Sequence, residues 1–226
     1  EGEFKDGLFN GKGVLSYANG SKFVGEFKDG LIHGKGILTQ SNGDKYEGDF
    51  KNGDPEGKGI MAQSNGDRFE GIFEDGYLNG KGVAVTASGD KYEGEFKGGR
   101  FNGKGIYVLS SGDRLEGIFK DGQLDGKGMW VSPNGDKYEG EFKFSRPNGK
   151  GIYVMSTGDR YEGVFKDGQL NGEGVWVNSN GDKYEGEFIA SLPHGKGIFL
   201  LSSGDRYEGI YKDGKLNGEG TWVNSC

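Results

Sequence analysis

A glycine recurs every 23 residues along this 226-residue chain, at 2, 25, 48, 71, 94, 117, 140, 163, 186 and 209, without insertion or deletion. Counted from that glycine as zero, further glycines fall at offsets 5, 9, 11 and 18. These five columns hold 47 of the 48 glycines, leaving only Gly98 outside, while Ser145 and Ser191 interrupt offset 5. A fixed period in the range of 20 to 50 residues specifies a solenoid or array, one supersecondary unit per repeat. Collagen is excluded, because it needs glycine at every third position, and with 13% aromatics the chain carries too much bulky apolar matter for a disordered glycine-rich tail.

One unit, residues 44–66, shows what each repeat builds. In Lys45-Tyr46-Glu47-Gly48-Asp49-Phe50-Lys51 the residues alternate, with Tyr46, Gly48 and Phe50 on one face and Glu47, Asp49 and Lys51 on the other. That pattern predicts a strand with one buried face. Asn52-Gly53 and Asn65-Gly66 supply the positive φ of tight turns on either side of a second strand, Gly57-Lys58-Gly59-Ile60-Met61-Ala62. No window has a 3.6-residue apolar period. The expected fold is all-β: an elongated, single-layer, twisted antiparallel sheet of ten stacked hairpins, on the order of 95 Å long at ~4.8 Å per strand. A lone hairpin is marginal in water, so each repeat needs its neighbours. The array fills 1–226 as one domain and reads as a fragment of a longer one, since it starts inside a repeat and without Met.

The balance of 28 basic and 35 acidic residues gives −7, which argues against nucleic acid and against charge-driven binding to anionic lipid. No apolar run approaches the ~20 residues of a membrane helix. The single cysteine, Cys226, permits no internal disulfide, and the expected location is cytoplasmic, at the cytoskeleton or on the cytoplasmic side of a membrane.

Tyr-Glu-Gly-Glu-Phe-Lys-x-Gly-x-x-x-Gly-x-Gly, at 92–105 and again at 184–197, resembles the MORN repeat (membrane occupation and recognition nexus). The resemblance runs through ten consecutive units. Phe or Tyr211 stands where the family often has Trp, Leu115 replaces the first aromatic, and Val24 replaces the usual Glu. The family implies a curved sheet whose aromatics line a groove, and cytoplasmic scaffold roles at cytoskeletal, ciliary and membrane-junction structures. In some relatives the repeats are appended to an enzyme domain.

No catalytic constellation emerges from the residues. His33 and His194 fall at offset 8, a column that elsewhere holds Asn10, Glu56, Asn79 or Asp125, and no nucleophile or orienting partner recurs beside them. Gly-Lys-Gly lacks the Walker spacing. Asp44, Asp67 and Asp90 follow turn glycines without EF-hand or calcium-repeat spacing, so they read as turn caps. Neither a metal nor a cofactor is expected, and the chain reads as no enzyme.

Two aromatic columns support two readings at once. Phe27, Tyr46, Phe50, Tyr92, Phe96, Phe119, Tyr138, Phe142, Tyr161, Phe165, Tyr184, Phe188 and Tyr207 can stack as a core, or line a groove for a partner helix or extended peptide. From about residue 67 the true period is 46. Offset 20 alternates Lys with Arg, offset 1 alternates Ile or Val with Glu, and offset 13 brings a Trp to every second repeat. On strand parity, Ile118/Trp130, Val164/Trp176 and Ile210/Trp222 are expected to form three apolar patches on the opposite face, suited to oligomer or partner contacts. The open C-terminal edge, with Thr221-Trp222-Val223, is expected to support a homodimer. The sequence therefore reads as a dimeric, cytoskeleton-associated protein-interaction scaffold. The competing readings are a peripheral module for phosphoinositide headgroups, in weak contact with membrane lipid, and a regulatory arm of a larger enzyme.

Overall fold

The computed structural model describes residues 1–225, and the single thiol, Cys226, lies outside them. The regular structure among the described residues is twenty antiparallel strands. They fall into two compact units, Glu1–Ser110 with Lys120–Gly122, and Ser111–Phe119 with the residues from Gln123 onward. In the first, each strand pairs with the next from Gly2–Lys5 through Arg100–Val108. In the second the same order runs from Gln123–Val131 to Lys215–Val223.

Each hairpin joins a leading strand, such as Lys45–Lys51, to a longer return strand, such as Asp54–Ala62. Asn52 and Gly53 turn the chain with φ of 53° and 103°, the two left-handed residues of a type I′ turn. Within the hairpin Gly48 stands opposite Gly59 and Tyr46 opposite Met61, but Phe50 stands opposite Pro55. A bulge therefore gives the return strand two more residues than the leading strand between those pairs, which adds local twist.

The glycine pairs explain how one layer makes a core. The Tyr46 ring folds back over Gly48 and Gly59. A Cβ on Gly48 would stand 2.8 Å from the Tyr46 hydroxyl oxygen, and one on Gly59 would clash with the hydroxyl end of the ring. Tyr46 meets Phe50 and the next repeat's Phe73 edge-on, both at centroid distances of 5.0 Å. Tyr92, Tyr138 and Tyr184 lie the same way over their own glycines. In the intervening repeats a leucine does this work: Leu78, Leu124, Leu170 and Leu216 cover the glycines, and the first-column residue is displaced outward. The 46-residue period is thus a packing alternation, tyrosine-covered repeats followed by leucine-covered ones. Its switch is offset 7, which reads Pro55, Leu78, Phe101, Leu124, Pro147, Leu170, Pro193, Leu216.

Consecutive repeats are also tied at both sets of turns. The Gly53 N–H donates to the Ile32 carbonyl of the preceding hairpin, 2.9 Å, and Gly76 to Pro55 likewise. At the other turns Asp44 accepts the Asn42 side-chain amide, as a turn cap would. Its second oxygen accepts the Ser64 N–H of the following repeat at 2.7 Å. Asp67, Asp90, Asp136 and Asp182 repeat the forward link. That backbone hydrogen bond is the main cause holding the carboxyls of Asp44, Asp90, Asp136 and Asp182 below the ordinary carboxylate value.

Candidate protein-binding groove

The sheet in each unit has a packed face and an open one, and the predicted residues divide between them. Eleven of the thirteen expected groove residues are buried: Phe27, Tyr46, Phe50, Tyr92, Phe96, Phe119, Tyr138, Phe142, Phe165, Tyr184 and Phe188. They are the core of a single layer, covered by one another and by the glycines beneath. Tyr161 and Tyr207 are half-buried, because Leu170 and Leu216 occupy the covering position in their repeats.

Burial pushes the hydroxyls of Tyr46, Tyr92, Tyr138 and Tyr184 from 10.0 up to about 12. Each donates to a backbone carbonyl three residues on, as Tyr138 does to Glu141 at 3.1 Å. The neutral form is favoured in the folded chain, so this stability is complete below pH 10 and is lost as pH rises towards about 12. Melting temperature should accordingly fall across that alkaline window. A Tyr46→Phe/Tyr138→Phe variant should fall less steeply; an unchanged slope would detach the effect from these hydroxyls.

The three proposed Ile/Trp patches do not form. Trp130 stands opposite Tyr138, Trp176 opposite Tyr161 and Tyr184, and Trp222 opposite Tyr207, all on the packed face. Ile118, Val164 and Ile210 lie on the other face. The reason is register: residues paired across the two-residue turn have offsets of opposite parity, so parity counted along one strand reverses on the next. Trp130 and Trp176 join a half-buried aromatic strip, Trp130 on Tyr153 at 6.2 Å and Trp176 on Tyr161 at 6.3 Å, whereas Trp222 on the last strand stays exposed. Trp130 Nε1 donates to Asp113 Oδ1 at 3.0 Å, an oxygen left free because Pro133 has no N–H. At Trp176 the equivalent oxygen of Asp159 is taken by the Ser179 N–H, and the buried indole N–H has no partner.

The open face carries the candidate site. In the second unit a groove of 1010 Å³ runs over Gly128, Gly140, Gly151 and Gly163, with Met129, Ile152 and Val164 as its apolar floor. Five carboxylates line it, Glu116, Glu139, Glu141, Glu162 and Glu173, against two ammonium groups, Lys127 and Lys150. A second groove of 520 Å³ in the same unit shares Glu173 and adds Glu185, Glu208 and Glu219 against Lys196, with Ile198 and Ile210 below. In the first unit the equivalent groove, 800 Å³, has Glu47 and Glu70 against Lys35, Lys58 and Lys81. The grooves thus have opposite charge balance: −3 for each in the second unit and +1 in the first.

Part of this charge is internal bookkeeping of the sheet. The alternating Lys/Arg column pairs with the glutamate two residues on, for example Arg160–Glu162 at 2.6 Å and Lys183–Glu185 at 2.7 Å. Exposed pairs of this kind contribute about 0–1 kcal/mol each. His33 and His194 are half-buried at the bulge, and His194 contributes a backbone carbonyl to Tyr184 at 3.3 Å. Among the described residues no group of three or more His, Cys, Asp or Glu is placed to hold a metal ion, and no helix is long and apolar enough to cross a membrane. Sequence reasoning put Val164 and Ile210 on this face but missed the offset-10 column beside them, although its signal was present: lysine in eight repeats and glutamate only at 173 and 219.

The family model for the MORN repeat matches residues 1–22, 23–45, 46–68, 69–91, 92–114, 116–137, 138–160, 161–183, 184–206 and 207–224. No curated protein matches the chain. Among solved structures, the TCP domain of SAS-4 (dCPAP) from Drosophila melanogaster, in complex with a proline-rich motif of Ana2 (dSTIL), is 12% identical, with 95% of this chain and 90% of that chain covered and a TM-score of 0.34. The G-box domain of the microcephaly protein CPAP is 10% identical over 96% of this chain and 100% of that chain, TM-score 0.34. Virginiamycin B lyase from Staphylococcus aureus is 14% identical over 95% and 70%, TM-score 0.19. At such identities and TM-scores the likeness bears on neither partners nor chemistry.

Proposed function

Since this chain belongs to the MORN-repeat family across ten repeats, we propose that it is a non-enzymatic scaffold that holds protein segments in the grooves of its open face. One observation carries this reading: the packed face is self-covering, whereas the open face leaves aliphatic side chains in a groove, with Val164 43% and Ile210 42% exposed. An apolar floor between charged rims suits an extended or helical segment of a partner. Cytoskeletal association and a cytoplasmic location belong to the same proposal.

Panning a random peptide library against the immobilised chain tests it. Enriched peptides should bind roughly tenfold or more weakly to a Val164→Asp/Ile210→Asp variant, whose floor is made polar. Peptides that bind both forms equally would remove the groove from the reading, and a failure to enrich any peptide would remove the scaffold.

Self-association of the C-terminal repeats is a second proposal. Every residue of Lys215–Val223 is exposed, and Trp222 is 60% exposed. Light scattering should report a dimer that Trp222→Ser weakens; a variant of unchanged mass at equal concentration would refute it.

A further inference from the structure

The second unit contains a like-charge pair that no other crossing of the same row has among the described residues. Along the row that crosses the groove, lysine at offset 10 faces an acid or an aliphatic side chain: Lys35 faces Asp49 and Lys127 faces Glu141. At one crossing Glu173 replaces the lysine and stands directly opposite Glu187. Like charges directly opposite are destabilising in a sheet, so the fold gains nothing from this substitution. Lys35 and Asp49 make an ion pair at 2.8 Å, whereas among the described residues neither Glu173 nor Glu187 is ion-paired. Glu187 accepts only the Lys196 backbone N–H, at 3.3 Å. Glu173 lines both grooves of the second unit, and Glu219 repeats the lysine-to-glutamate replacement two repeats later.

Resting on the scaffold reading above, we propose that the second unit's groove docks a cationic segment of a partner protein, an extended stretch in which lysine or arginine alternates with aliphatic residues, and that one basic side chain sits between Glu173 and Glu187. The aliphatic residues meet Val164 and Ile210, which lie in the same rows. Glu173 and Glu187, which have no cationic partner among the described residues, disfavour the anionic groups of lipid or nucleic acid at this crossing.

The full chain is titrated into a fluorescein-labelled dodecapeptide alternating lysine with valine, and into its glutamate–valine counterpart, at about 0.15 M salt. The lysine peptide should bind and the glutamate peptide should not. Glu173→Lys/Glu219→Lys installs the residue that the other eight repeats carry and removes the like-charge crossing, so it should hold or raise the melting temperature while weakening binding roughly tenfold or more. Asp54→Arg/Glu74→Lys adds the same charge to the first unit and should change binding by less than about twofold. Equal losses in the two charge variants, no loss in the first, or no binding of the lysine peptide would each overturn the proposal. If Glu173→Lys/Glu219→Lys binds normally while Val164→Asp/Ile210→Asp does not, the groove reading stands and the charge assignment falls. If neither groove variant alters binding, both fall.

Discussion

Tyr138→Ala is expected to cost the second unit about 3–5 kcal/mol, and Tyr161→Ala only about 1–2 kcal/mol, although the two residues occupy the same column one repeat apart. Tyr138 is 0% exposed and lies over Gly140 and Gly151, with Phe142 and Phe165 edge-on at 5.0 Å. Removing it opens a cavity among rigid rings, bare Cα atoms and backbone, none of which can collapse far. It also deletes the hydroxyl's bond to the Glu141 carbonyl. Tyr161 is half-buried, and the glycines of its repeat are covered by Leu170, itself 0% exposed. Its loss removes a stacking partner of Trp176 and leaves the cover intact. The order should invert at the other column, with Leu170→Ala the costly change in that repeat. Urea unfolding, read beside amide exchange at Gly140 and Gly163, measures both effects locally. Equal costs at Tyr138 and Tyr161 would show that the alternation is ancestry without energetic content.

The second large effect separates two reasons for glycine. Gly151→Ala is expected to cost about 3 kcal/mol, and Gly172→Ala about 1 kcal/mol. At Gly172 the φ is 85°, and nothing lies within 4 Å of an added Cβ, so only backbone strain resists the change. At Gly151 no left-handed φ is involved, but the Cβ would occupy the Tyr138 ring. The double variant discriminates: once Tyr138 is alanine, adding Gly151→Ala should cost less than about 1 kcal/mol. Additive costs in the stability cycle would mean that the ring and the glycine do not compete for one space.

Much of this architecture was legible before any coordinates. Tyr46-x-Gly48-x-Phe50 and Asn52-Gly53 place a half-buried strand and a tight turn with no tertiary knowledge, because alternation and positive φ are local properties. What could not be read along the chain depends on register between strands. Pairing across the turns puts Trp130 on the tyrosine face and leaves Ile118 on the other. The rings expected in a partner groove fold down onto Gly48, Gly59 and their equivalents, a close approach that no periodicity displays. The aspartates expected to cap their own turns also reach one repeat ahead, through a contact 20 residues away in sequence. The groove itself came from the face that carries charge, where Glu173 and Glu219 depart from a column of lysines.

Most links between turns have a direction in time; the Ser145 and Ser191 hydroxyls, which accept the earlier Leu124 and Leu170 N–H groups, run the other way. Wherever Gly53 bonds to Ile32, or Ser64 to Asp44, the donor belongs to the later residue and the acceptor to the earlier one. A ribosome releases a chain from its N-terminus at ~5–20 residues per second, so a 23-residue repeat appears within seconds of its predecessor. Each newborn hairpin therefore meets a carbonyl and a carboxylate already fixed in space on the finished edge. Growth becomes templated addition, one hairpin at a time, and the entropy of closing each turn is met locally instead of across the whole polypeptide.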